Sequence, residues 1–241
     1  MTDFLIPDWP APPNVRSLTT TRRGGISAAP WDGFNLGDHV GDNPQHVASN
    51  RDELRTHLPA SPIWLRQVHG TQCVDAAAVA TGTEADAAIT RRPGVVCAVL
   101  TADCLPVLLC DENGTVVGCA HAGWRGLLDG VIESTVAAMG VPGNKLLAWL
   151  GPAIGPTAFE VGDEVRASFM ARDAAADDAF VARQTGKWLC DIYLLARQRL
   201  AALGVRRIAS TDFCTHRDRD LFFSYRRDGV TGRMASLIWL A

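Results

Sequence analysis

Residues 94–126 constrain the fold most. GVVCAVLTADCLPVLLCD is followed by Glu-Asn-Gly and then by TVVGCAHAGWRG. Two apolar, β-branched runs around Asn113-Gly114 predict a hairpin, because an Asn-Gly turn tolerates the positive φ values that a two-residue type I′ turn demands. With that pair at the tip, Pro106 faces His121 and Cys104 faces Gly123. Side chains two positions apart on a strand share a face. Cys104 and His121 are then diagonal neighbours on one face, about 7–8 Å apart at Cα. A four-residue loop keeps this parity and a three-residue loop reverses it.

A thiolate and an imidazole converging on one point form a soft, nitrogen-containing metal site. Position makes His69 the first choice for a third ligand, since it ends a strand just before a Gly in QVHG. His39, His46, His57 and His216 stay open as alternatives at this stage. Asp103 is one residue off the metal face and is expected to orient a His or an Arg instead. Arg125, in GWRG, precedes a helix N-terminus where anions bind readily. An inert core thiol and a satisfied core histidine are the competing structural reading of Cys104 and His121.

The rest of the chain reads as alternating strands and helices. VRSLTTTR (15–22), WLRQVHG (64–70), TQCVDAAAV (71–79), NKLLAWL, VRRIAST, LFFSYRR and RMASLIWLA read as strands. Helices are predicted from Asn43-Pro44 to about His57, over GLLDGVIESTVAAM (126–139), and over GDEVRASFMAR and CDIYLLARQRLAAL. YRRDGVTGR (225–233) reads as a hairpin with a charged tip. No repeat or linker divides the 241 residues, so we read one α/β domain, 1–241, with a mixed sheet. A net charge of −3 gives no basic field for nucleic acid. The N-terminus lacks a basic region followed by an apolar one, and the run from Val95 to Cys110 is too short and too polar for a membrane helix. A cytoplasmic protein is expected, and nothing in the pattern marks an oligomer interface. Seven Cys without a CxxC pair exclude a disulfide framework.

At these residues the sequence resembles the YfiH/laccase-domain family, also described as multicopper polyphenol oxidases or purine nucleoside phosphorylases. The matching elements are FNLGDHVGDN, Asn50-Arg51, RQVHG, EADAAIT, LTADCLPVLL, AHAGWRG, GPAIG, FEVG and FFSYRRDGVTGRMASLI. They run almost from end to end. One departure is Thr157-Ala158-Phe159, where members often carry a Cys before the aromatic-Glu-Val step. The resemblance implies an α/β/β/α sandwich with mixed sheets flanked by helices. It also implies a zinc site whose His-Cys-His ligands match His69, Cys104 and His121.

The activity implied is phosphorolysis of adenosine, inosine and methylthioadenosine, with adenosine deamination at the same site. Purine nucleoside and phosphate would be the small-molecule partners. His69, Cys104, His121, Asp86, Asp103 and Arg125 are then the catalytic candidates. Asp86 or Asp103 would handle protons or orient ligands, and Arg125 would hold an anion. Asn35, Arg51 and Gln67 are candidate substrate contacts by motif position. Alternatives are a copper-dependent polyphenol oxidase, an editing hydrolase for peptidoglycan precursors, a ligand sensor without turnover, and a hydrolase using Cys104 as nucleophile with His121 as base.

Overall fold

The computed structural model describes residues 3–241; Met1 and Thr2 lie outside the described residues. The first half comprises β1 (Phe4–Leu5), β2 (Val15–Thr20), α1 (Pro44–Arg55), β3 (Cys73–Asp75), β4 (Ala87–Thr90), β5 (Val96–Thr101), β6 (Leu105–Asp111) and β7 (Val117–Ala122). Then follow α2 (Trp124–Asp129), α3 (Val131–Met139), β8 (Leu146–Leu150), β9 (Glu160–Gly162), α4 (Asp163–Arg172), β10 (Phe180–Gln184) and β11 (Lys187–Cys190). The chain ends with α5 (Ile192–Ala202), β12 (Arg207–Ser210), α6 (Tyr225–Asp228) and β13 (Met234–Leu240).

Alternation along the strands builds the layers. In β5, Val96, Ala98 and Leu100 face a core containing Phe34, Leu36 and Leu54 of α1, while Cys97 and Val99 face the other way. In β6 and β7, Leu108, Cys110, Val117 and Cys119 meet Cys97, Val99 and Ile238 between two sheets. The opposite faces of β6 and β7 pack on Leu127, Ile132, Met139 and Leu195 of the helices. The result is an α/β/β/α sandwich: one sheet ordered β1-β2-β13-β5, the other β12-β8-β6-β7-β4-β3, with a separate three-stranded sheet β10-β11-β9.

The apolar run from Val95 to Cys110 is not one strand. It switches sheets at residues 102–104, where Asp103 takes φ 98°. Asp is among the few side chains that tolerate positive φ. Its carboxylate is held by the Thr215 hydroxyl at 2.6 Å and the Arg226 N–H at 2.7 Å. The hairpin tip also differs from the two-residue turn. Asp111 N–H donates to Val116 C=O, leaving a four-residue loop, and φ is positive at Gly114 but not at Asn113. The Asp111 carboxylate accepts from Asn113, Thr115 and Val116 N–H and shapes that loop. Parity survives, and Pro106 pairs with His121.

Other boundaries moved for local reasons. The helix predicted over 126–139 breaks at Gly130, φ 109°, into α2 and α3. Residues 64–70 hold an isolated bridge at Arg66, with another just before them at Ile63, rather than a strand. LFFSYRR and the expected YRRDGVTGR hairpin are instead a loop and the short α6, capped by the Ser224 hydroxyl accepting from Arg227 N–H. Asn43 caps α1 as expected, accepting from Gln45 N–H at 2.9 Å.

Candidate metal centre

The sheet switch, the end of β7 and the start of β13 all lie at one end of the sandwich, since Met234 pairs with Thr101 and Leu105 with Ala122. There the ligand atoms of His69, Cys104 and His121 lie within 4.8 Å of one another. Among the described residues this is the one group of three or more His, Cys, Asp or Glu side chains arranged to share an ion. The two imidazole rings meet edge to face at 4.7 Å between centroids.

Asp86 assembles the site, although it supplies no ligand. Its buried carboxylate accepts His121 Nδ1 at 2.8 Å, so Nε2 of that ring is the nitrogen left for an ion. The same carboxylate accepts the N–H groups of Val68 (3.0 Å), His69 (3.0 Å) and Gly70 (2.7 Å). His69 stands at φ 60°, a conformation that costs a non-Gly residue about 1–3 kcal/mol. Hydrogen bonds to a charged acceptor contribute about 1.5–3 kcal/mol each, so three of them offset that cost. Burial opposes ionisation of Asp86, but the His121 hydrogen bond and the backbone donors hold its pKa below the usual carboxylate range. Asp103 makes no hydrogen bond to a histidine or to an arginine side chain; its partners are Thr215 and the Arg226 backbone.

Burial disfavours the Cys104 thiolate, yet the His121 charge and hydrogen bonds from His121 and His69 lower its pKa to about 6. Burial likewise disfavours the His121 imidazolium, but the Cys104 thiolate and Asp86 raise its pKa to about 9. Without a metal, the two form a thiolate–imidazolium pair at neutral pH.

Gly123 closes the site from below. A Cβ there would stand 2.8 Å from His69 Nδ1 and 2.9 Å from Cys104 Sγ, closer than real Cβ contacts allow. Gly123→Ala should therefore displace the His69 ring and the Cys104 sulfur and lower metal affinity by about tenfold or more. Metal analysis after dialysis, alongside a thermal melt, checks this; a variant that retains its metal like the wild type would show that the ligands can yield.

The three ligands open into a cavity of about 550 Å³. Its apolar wall includes Trp124, Ile154, Phe159 and Ile192, and its polar wall His39, Asp103, Arg125, Arg226 and Arg233. Arg125 is exposed and lies over the Trp124 ring at 4.5 Å. Gln67 lines the cavity, but both ends of its amide bond the Leu100 backbone, at 2.8 and 2.7 Å. Arg51 does not line it; it grips Leu36 C=O and pairs with Asp38 at 3.3 Å. Asn35 is fully buried, and its amide serves Gly37, Asp42 and the Arg233 backbone. Motif position thus located three braces rather than three free contacts. His39, Tyr225, Arg226 and Arg233, which sequence reasoning did not select as substrate contacts, line the cavity. Their signal lay in the quoted motifs FNLGDHVGDN and YRRDGVTGR.

The family described as multi-copper polyphenol oxidoreductase laccase matches residues 16–241. A relative from Escherichia coli (strain K12), named purine nucleoside phosphorylase YfiH, is 53% identical over all of both chains. Another from Pseudomonas aeruginosa, named purine nucleoside phosphorylase PA4543, is 54% identical over 100% of this chain and 99% of its own. Among solved structures, Neisseria meningitidis protein NMB0706 superposes with a TM-score of 0.95 at 52% identity, covering 98% of each chain. YlmD from Geobacillus stearothermophilus gives 0.86 at 29% identity, over 95% of this chain and 92% of its own. With the fold, the motifs and near full-length identity in agreement, the chain belongs to the laccase-domain family that includes YfiH.

Proposed function

We propose that this protein is a zinc-dependent purine nucleoside phosphorylase. The observation that carries the reading is a His69–Cys104–His121 group opening into a cavity large enough for a nucleoside. It is supported by full-length relatives that bear the phosphorylase name. In the reaction a phosphate oxygen forms a bond to ribose C1′ while the C1′–N bond breaks. The electron pair leaves with the purine, which takes up a proton.

Two nitrogens and one sulfur suit zinc, and three protein ligands leave a position open, the pattern of a catalytic ion. When bound, zinc supplies a Lewis acid at the cavity floor. The same donors suit a blue-copper ion, which also takes a weak axial Met. Met139 and Met234 are buried in the core, Met170 lies on α4, none of the three lines the cavity, and Met1 is outside the described residues. A multicopper cluster would need several more converging imidazoles than the one group found among the described residues.

The chain's own residues then divide the work. Trp124, Phe159 and Ile154 offer the apolar wall that a flat base needs. Asp103, already accepting two hydrogen bonds, presents a fixed negative charge toward positive charge developing on the ribose. Asp86 fixes the ligands rather than moving protons. Adenosine deamination would appear as inosine when adenosine is the substrate. No helix among the described residues is long and apolar enough to cross a membrane.

Zinc binding should release about one proton near pH 7.5, because Cys104 is then already a thiolate while His121 must give up its proton. Below about pH 6 the thiol is protonated as well, so release rises and affinity falls. The sign of the stability change in the metal-free protein follows the same pair. The lowered Cys104 contributes above its unfolded value near 9 and is lost as pH falls through about 6. The raised His121 contributes below 6.5 and is lost as pH rises through about 9. Titration calorimetry in buffers of different ionisation enthalpy counts the protons; no release at pH 7.5 would contradict the charged pair. Separation of the products of inosine and phosphate tests the activity itself.

A further inference from the structure

The cation nearest to hand for phosphate in the sequence was Arg125, but it lies on the exposed rim of the cavity against Trp124. Arg233 is placed differently. It immediately precedes β13, lines the same cavity and is partly buried. One of its terminal nitrogens, Nη1, donates to Thr231 C=O at 3.0 Å and Gly232 C=O at 2.9 Å. Among the described residues, its Nε and Nη2 make no hydrogen bond and the side chain forms no ion pair. Asp103 acts on it electrostatically, yet both Asp103 oxygens are already taken by Thr215 and Arg226. The Cys104 thiolate also acts on it, but that charge is committed when the sulfur holds a metal. A partly buried guanidinium with one free edge and no carboxylate bonded to it is costly until an anion completes it.

Three consecutive residues fix Arg233. Asn35 Oδ1 accepts its backbone N–H at 2.9 Å, and Leu36 N–H donates to its C=O at 3.2 Å. Gly37 leaves room for its stem, since a Cβ there would stand 2.8 Å from Arg233 Cγ. Two residues further on, the same loop carries His39 into the cavity. Its Nδ1 faces the Asp38 carboxylate at 3.4 Å, so the single N–H of a neutral ring is already directed there.

The geometry points to an oxyanion subsite in which the Nε–Nη2 edge of Arg233 grips inorganic phosphate. The subsite rests on the phosphorylase reading and deepens it by assigning the second substrate. The Nε–Nη2 edge matches two oxygens of one phosphate, which a lysine cannot reproduce. Asn35 and Gly37 are positioning residues for it.

The test uses the zinc-loaded full chain and the variants Arg233→Lys and Arg233→Met. The first keeps a stem against Gly37 and guards against a folding failure. We expect KM for phosphate to rise about tenfold in the lysine variant and about a hundredfold in the methionine variant, from the loss of charge-assisted bonds. KM for inosine and bound zinc should stay within about twofold of wild type, as a merely structural role would not allow. A phosphate KM that stays at wild type in both variants overturns the subsite and leaves the phosphorylase reading standing. If the wild type turns over no nucleoside, that reading fails, and binding still tests the subsite. Inorganic phosphate should then raise the wild-type Tm with concentration but not that of Arg233→Met. A rise that persists in the variant, or none in the wild type, overturns it.

Discussion

Replacing Asp86 by Asn should unseat both imidazole ligands at once. The carboxylate holds the His121 ring through Nδ1 and the His69 backbone through three consecutive N–H donors. An amide of the same shape can orient its oxygen toward only part of that set, and its NH₂ then faces other donors. Loss of one outer partner of a metal-bound His costs about 10–100-fold in affinity. Here one substitution disturbs two ligands, so the expected loss is about a hundredfold or more. The metal-free protein should also lose about 3–5 kcal/mol, the usual cost of breaking a buried charged pair. A competition titration with a zinc chelator and a denaturant melt read the two effects. Asp103→Asn gives the contrast, because Asp103 touches neither ring through a hydrogen bond. Wild-type zinc affinity in Asp86→Asn would remove Asp86 from its place as the organiser of the site.

Cys104→Ala should abolish turnover together with metal binding. It removes the only sulfur of the ligand group. A Lewis acid contributes several kcal/mol to a transition state, so turnover should fall by at least about three orders of magnitude at 1.36 kcal/mol per decade. Loss in this variant alone does not distinguish a ligand from a nucleophile. A thiolate with a pKa of about 6 beside an imidazolium also has the makings of a cysteine hydrolase. Chelation separates the two chemistries. A metal ligand loses activity on chelation and regains it with zinc, whereas a nucleophile is lost to alkylation and survives chelation.

The sequence carried the centre of this site in its parity. Side-chain alternation and a turn of even length place Cys104 and His121 on one face, and that holds even though Asp111 builds a four-residue loop in place of the two-residue turn. The sheet switch at Asp103 was not legible in the same way. A continuous apolar run shows that both strands are buried, but not that they belong to different sheets. The roles of Asn35, Arg51 and Gln67 were hidden for a related reason. A polar residue within a motif can serve the ligand or the backbone, and only the fold shows that all three serve the backbone. Asp86 was a candidate on its motif, while its grip on four donors arises from β4 lying beside β7 and the 68–70 turn. The β10–β11 hairpin went unforeseen because its exposed Ala182-Arg183-Gln184 has no apolar alternation to announce a strand.

The most direct measurement pairs metal analysis with product separation on one preparation. Purified protein is incubated with adenosine and inorganic phosphate, with Cys104→Ala alongside. The expected result is bound zinc with adenine and ribose 1-phosphate in the wild type, and neither metal nor products in the variant. Bound zinc with no purine product, or adenine formed equally by the zinc-free variant, would contradict a zinc-dependent phosphorylase.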